Sequence, residues 1–165
     1  MQEYKPNFEK IYQENYQRVI RICMGYVKGD EDLAKDLTQE VFIKVWRQLN
    51  SFRNESSIST WIYRITVNTC LLQLRNKKFL KRADAIERLT EVEEEGHPSK
   101  ENQLKQMYKC IDKLSKDNKG IILLELEGLP QKEIAEIMGL SHEAVRVRVH
   151  RIKNSLTKCV NNGSI

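Results

Sequence analysis

The chain has 165 residues and a formal net charge of +5, and 40% of its residues are apolar, enough for the core of one domain or of two small ones. So modest a positive balance points to a polyanionic partner only where the charge is concentrated, so placement matters more than sum. The sequence shows no signal peptide, no apolar run of membrane length, no glycine-rich phosphate loop and no Cys-x-x-Cys pair, and its histidines, His97, His142 and His150, are scattered. A membrane protein, a nucleotide-dependent enzyme and a zinc module are therefore not expected, and the reading is a cytoplasmic protein with no catalytic residue, metal or cofactor. Cys23, Cys70, Cys110 and Cys159 lie far apart within helical patterns and are expected as reduced thiols.

In chain order, Phe8, Ile11, Tyr12, Tyr16, Val19, Ile20, Cys23 and Val27 follow helical steps and predict a first helix that breaks at Gly29. Asp30 caps a second, whose stripe is Leu33, Leu37, Val41, Val45 and Leu49, widened by Phe42 and Trp46. The other face of this helix presents Asp36, Gln39, Glu40 and Lys44. Solvation alone accounts for such a face, and a partner helix is the sharper alternative. Residues 49–59, LNSFRNESSIS, read as a loop that carries one aromatic, Phe52.

A third helix follows, with Ile58, Trp61, Ile62, Ile65 and Leu72 able to face inward. A second stripe of it holds Arg64, Asn68, Leu71, Arg75 and Lys78, and from Arg64 to Arg82 there are six basic residues and no acid. Rings beside a basic helix suit single-stranded nucleic acid, since bases stack on rings at about 1–3 kcal/mol each while cations follow the phosphates. Trp61 and Tyr63 are the candidate rings. Core packing is the plainer account of Trp61, and an exposed amphipathic ring that of Tyr63.

Residues 83–102 turn acidic and contain Gly96-His97-Pro98-Ser99, so they are read as a linker between two helical domains. Beyond it Leu104, Met107, Ile111 and Leu114 mark a helix, and Ser115 caps another that runs to Leu126 and stops at Gly128. The last stretch, LPQKEIAEIMGLSHEAVRVRVHRIKNSL, reads as two short helices joined at Gly139, with Pro130 starting one and Ser141 capping the other. Val145, Val149, Ile152 and Leu156 form the inner stripe of the final helix. Its outer face carries Glu143, Arg146, Val147, His150 and Asn154, and between Ser141 and Lys158 five basic residues stand against one acid. A helix pair of this kind with a cationic outer face fits a helix-turn-helix that reads duplex DNA.

Taken together, DLAKDLTQEVFIKVW, LNSFRNESSISTWIYRITVN and LSKDNKGIILLELEGLPQKEIAEIMGLSHEAVRVRVHRIKNSL resemble a bacterial sigma factor of the extracytoplasmic function (ECF) type, in the sigma-70 superfamily. The strings span most of the chain, and their combination in this order is specific where either alone would be weak. The resemblance implies an all-α fold of two small helical domains joined by a flexible linker, with region 2 at residues 1–82, the linker at 83–102 and region 4 at 103–165. It implies binding to core RNA polymerase, with Asp36, Gln39, Glu40 and Lys44 on the clamp helices of the largest subunit. It also implies promoter DNA as partner, melted at the minus-ten element and duplex at the minus-thirty-five element. For the minus-ten strand the candidate residues are Phe52, Trp61, Tyr63, Arg64, Asn68, Arg75 and Lys78, with the loop at 52–59 and Asn68 capturing a flipped base. For the minus-thirty-five duplex they are His142, Glu143, Arg146, Val147, His150 and Arg151. The linker would thread into the polymerase, with the acidic 91–95 segment able to mimic nucleic acid, and an anti-sigma factor is a plausible further partner, with no membrane insertion.

Three positions depart from the family's pattern: Leu72 stands where an Asp is common, Pro130 where a hydroxyl residue is usual, and Val147 where a small polar one is. An outward Val suits a thymine methyl. The rival reading is a stand-alone helix-turn-helix DNA-binding regulator, against which the basic third helix, the aromatic loop and the lack of a sensor domain weigh.

Overall fold

A computed structural model describes residues 7–76 and 99–162, and among them there are seven α-helices, a one-turn 3-10 helix and no strand. The N-terminal domain is α1 (Phe8–Tyr26), α2 (Glu31–Gln48) and α3 (Ile58–Leu74), with the 3-10 turn Leu49–Ser51 after α2. The C-terminal domain is α4 (Lys100–Asp112), α5 (Lys116–Leu126), α6 (Gln131–Met138) and α7 (His142–Asn162). Of the expected linker, only residues 99–102 are described, and they belong to the start of α4; the remainder lies outside the described residues.

The helix starts follow from local chemistry. The side chains of Asn7, Asp30, Ser57, Ser99, Ser115 and Ser141 each accept an N–H from the first turn of the helix they precede, at 3.0–3.3 Å. α6 alone starts without a side-chain cap, behind Pro130. Gly139 ends it in the left-handed region at φ 68°, which lets Leu140 N–H reach the Ala135 carbonyl at 3.0 Å and turns the chain sharply into α7.

Each domain buries its own apolar stripes, and the two run together into one core. Val19, Ile22, Leu37, Val41, Ile62 and Val67 fill the first, and Ile111, Ile121, Leu124, Ile134, Val145 and Ile152 the second, all essentially buried. Three of the polar residues inside the N-terminal domain are satisfied within their own helix. Thr38 and Thr66 donate to the carbonyls of Ala34 and Ile62, and Asn15 donates to that of Ile11. Two stripe residues are corrections: Trp46 is 63% exposed and Leu72 56%, because each sits at the margin of its stripe, where the described helices leave most of it uncovered.

The cysteines are a further correction. Cys110 and Cys159, expected as separate thiols, form a disulfide that joins α4 to α7 across a separation of 49 residues. Cys23 and Cys70 remain free, buried between α1 and α3 with their sulfurs 3.8 Å apart, and burial pushes the Cys70 thiol up. Spacing along the chain could not reveal either pairing, since both depend on which helices pack together.

The two domains meet along α1, which lies against α4 and α5, while α3 lies against α6. Close approach is possible because the seats are glycines. Leu123 occupies the place where a Gly25 side chain would be, Tyr108 covers Gly29, and the Tyr26 hydroxyl reaches Gly120. Polar links frame these seats: Arg21 grips Glu127 through two bonds of 2.8 Å, and Lys28 lies 3.4 Å from Asp112, which also holds Lys119. The Tyr26 hydroxyl is buried and finds no hydrogen-bond partner among the described residues, and burial pushes its pKa up.

Gly25→Ala separates the two roles of this residue. On helix propensity alone it would stabilise α1 by about 1 kcal/mol. Against Leu123 it is expected instead to destabilise the folded chain by about 1–3 kcal/mol, read from the urea midpoint. A higher midpoint would show that the domains do not meet there.

Candidate nucleic-acid interface

α7 is set by the tight turn at Gly139, its Ser141 cap and the burial of Val145, Val149 and Ile152. That packing fixes the helix's rotation, and the opposite side is left to solvent. His142, Glu143, Arg146, Val147, His150 and Arg151 are all exposed there, as the periodicity required. Arg146 Nη2 lies 3.5 Å from Glu143 Oε1 one turn earlier, and His150 Nε2 lies 3.4 Å from Asn154 Nδ2. These neighbours orient the cation and the imidazole without burying them. Lys153, to the side, is held by Glu125 of α5 at 3.0 Å.

Arg64 and Asn68 of α3 and Arg75 just past its end are exposed on one face, joined by Leu72; Lys78 lies outside the described residues. Arg64 Nη2 donates to the Glu136 carbonyl of α6 at 3.3 Å, so this face begins beside the helix-turn-helix. At the other end of the α2–α3 loop, Phe52 and Trp61 are half-buried and pair with ring centres 5.1 Å apart. Tyr63 is a correction. Its ring is 2% exposed, and its hydroxyl accepts from Arg18 at 3.3 Å, so it belongs to the core and presents no face for a base. Tyr63 falls next to Ile62 on the inner side, and the apolar stripe read at Ile58, Trp61, Ile62, Ile65 and Leu72 did not include it.

The polar face of α2 divides in two. Asp36 and Gln39 are exposed, whereas Glu40 accepts from Gln73 at 2.7 Å and Lys44 donates to Thr69 at 3.2 Å, tying α2 to α3. Beside Gln39 opens a groove of about 430 Å³ lined by Phe8, Tyr12 and Tyr16 of α1 and by Phe42, Ile43 and Trp46 of α2. Phe8 meets Trp46 edge-on at 5.1 Å, and Tyr12 meets Phe42 at 4.7 Å. The sequence reading placed these rings in the core and missed the groove. Its signal was the matched four-residue spacing of Phe8, Tyr12 and Tyr16 on one helix and of Phe42 and Trp46 on the next.

Among the described residues, no group of three or more His, Cys, Asp or Glu could hold a metal ion, and no helix is long and apolar enough to cross a membrane. What the surface offers is two cationic faces, one on a helix-turn-helix and one on a helix flanked by rings, with an aromatic groove elsewhere on the N-terminal domain.

Comparison with known proteins agrees with that division. The family model described as Sigma-70 region 2 matches residues 11–79, and that described as Sigma-70, region 4 matches residues 104–156. The ECF RNA polymerase sigma-E factor of Escherichia coli (strain K12) is 35% identical over 152 residues, covering 84% of this chain and 78% of that protein. RNA polymerase sigma factor YlaC of Bacillus subtilis (strain 168) is 28% identical over 162 residues, covering 94% and 93%. The sigma factor RpoE of Bartonella quintana, solved with the anti-sigma factor NepR, shares the fold with a TM-score of 0.70 at 24% identity, over 93% of this chain and 96% of that one. CnrH, solved with the cytosolic domain of CnrY, does so with a TM-score of 0.71 at 19% identity, over 95% and 89%. With both region models matched in order and full-length relatives of one kind, this chain belongs to the ECF RNA polymerase sigma factors, which direct transcription initiation.

Proposed function

We propose that the chain docks on core RNA polymerase through the exposed side of α2 and divides promoter reading between α3 and α7. The observation that carries this reading is the exposure, along one side of α7, of the whole set His142, Glu143, Arg146, Val147, His150 and Arg151, on a helix locked from behind by its apolar stripe. Lys and Arg place such a helix against phosphates without regard to sequence, and the few side chains that reach base edges supply the choice. Arg146 suits a bidentate contact to guanine, and Val147, 39% exposed, suits a thymine methyl.

At the minus-ten element, Arg64 and Arg75 would hold the backbone of the opened strand while Asn68 binds a flipped base. The half-buried Phe52 and Trp61 pair offers a ring edge to the same strand. Asp36 and Gln39, with Ile43 and Trp46 beside them, form a mixed polar and apolar docking face for a polymerase helix, the composition expected of an interface centre. The chemistry of RNA synthesis belongs to the polymerase, the chain supplies no catalytic group, and the work is done in the cytoplasm.

Run-off transcription with purified core polymerase on a pool of random promoters tests the reading directly. Selective starts are expected only when both components are present. A chain that shifts DNA equally well without polymerase would instead be a stand-alone regulator. Arg146→Ala is expected to cost about 1–3 kcal/mol at a single position of the minus-thirty-five element. Equal loss on every sequence would move Arg146 to the phosphates. Asn68→Ala should leave duplex binding intact and reduce permanganate reactivity of the melted thymines. Trp46→Ala should weaken association with core polymerase at least about fivefold while leaving the helical circular dichroism unchanged, as for the loss of an exposed aromatic anchor.

A further inference from the structure

The domain contact poses a geometric problem. Elements centred near positions minus ten and minus thirty-five are roughly 25 base pairs apart, or about 85 Å of duplex at 3.4 Å per step. In this structure α3 and α6 touch, and Arg64 of the strand-facing helix bonds the Glu136 backbone of the helix-turn-helix. A chain in this arrangement cannot cover both elements, so the seats at Gly25, Gly29 and Gly120 must empty before a promoter is read.

α4 holds a special place in that contact. Cys110 and Ile111 are its fully buried residues and Met107 packs beside them, so α4 rests on α7 along one narrow apolar edge. Two other residues of the same helix grip the N-terminal domain: Tyr108 covers Gly29, and Asp112 faces Lys28. Between them Cys110 is bonded to Cys159, three residues from the end of α7. The cross-link thus pins to the recognition helix the helix that reaches across to α1.

We propose that Cys110–Cys159 is a redox clasp: as a disulfide it holds α4 where Tyr108 and Asp112 lock the domains together, and on reduction α4 loosens and the domains part. The reductant is a dithiol. Its thiolate bonds to Cys159 Sγ as the end of α7 frays, the S–S bond breaks, and Cys110 leaves with the electron pair and takes up a proton. The second thiol of the reductant then closes on the first and releases Cys159 as a thiol. Two electrons and two protons pass to the protein, and the dithiol becomes a disulfide. The reverse exchange, with a disulfide as oxidant, resets the clasp. Cys23 and Cys70 take no part, since both are enclosed between α1 and α3 within one domain.

The transcriptional consequence rests on the promoter-directing reading above, while the clasp itself is read from shape. The test uses the full chain, oxidised and then reduced with dithiothreitol, followed by peptide mass mapping, X-ray scattering and run-off transcription with core polymerase. The oxidised chain should carry the Cys110–Cys159 peptide and a radius of gyration near the roughly 15 Å of a compact chain of this length. Reduction should enlarge it and raise transcript yield about fivefold or more, the lower end of ordinary coupling between sites. Cys110→Ser with Cys159→Ser should match the reduced chain in either buffer; should that variant lose its helical circular dichroism, the reduced wild type decides. Arg21→Glu, which breaks the Glu127 link without touching a cysteine, should remove the redox dependence of transcription. Absence of the cross-linked peptide overturns the proposal. So does scattering that is the same in both states, or an Arg21→Glu chain as redox-sensitive as the parent, which would leave the disulfide bracing the C-terminal domain alone. If neither state supports selective starts, the functional reading fails, and scattering still decides the clasp.

Discussion

The close approach of α1 to α5 governs the arrangement of this molecule. Leu123 can lie over Gly25, and Tyr26 over Gly120, only because neither glycine has a side chain. Each helix therefore supplies both a knob and a seat. Apolar contact of this kind is short-ranged and indifferent to direction, so the polar links around it set the register. The paired bonds from Arg21 to Glu127 do this best, because a guanidinium and a carboxylate match in only a few orientations. That hydrogen bonding also holds the Arg21 guanidinium in its charged form and raises its pKa.

The same contact contains elements that work against it. Among the described residues the buried Tyr26 hydroxyl finds no partner, and an unsatisfied group of this kind costs about 1–3 kcal/mol. Arg21 is half exposed, so water screens its attraction to Glu127. An interface built from three close seats, one hydroxyl without a described partner and screened ion pairs is suited to opening. The N-terminal domain, whose Thr38, Thr66 and Asn15 are satisfied inside it, and the C-terminal domain, with its own buried stripe, are suited to remaining folded when it does.

Both proposed nucleic-acid faces depend on what lies behind them. α7 presents Arg146 and His150 outward because Val145, Val149 and Ile152 leave it no other rotation, and Ser141 keeps its first turn formed where the residues proposed to read bases begin. α3 uses its inner side, including Tyr63, to hold the N-terminal bundle, which leaves Arg64, Asn68, Leu72 and Arg75 on a rigid rod. Side chains on rigid elements are ordered before the ligand arrives, so less conformational entropy is lost on binding. α2 applies the same economy differently. Glu40 and Lys44 serve the α2–α3 joint, and Asp36, Gln39 and Trp46 are left to face outward.

Caps, turns and helix periods were legible in the sequence because they depend on residues within one or two turns of each other. Asp30, Ser115 and Ser141 each meet an N–H three residues on, and Gly139 answers only to its own φ. The outer face of α7 followed from the same local rule, and the joint presence of both region patterns sufficed for the family. Tertiary structure decided whatever depends on a second helix. It placed Tyr63 inside and Trp46 and Leu72 outside, turned Glu40 and Lys44 toward α3, joined Cys110 to Cys159, and gave Gly25 and Gly120 their occupants. A helical period says which residues share a side, but the width of the covered stripe and the identity of what covers it are set by distant segments, and no spacing along the chain encodes them.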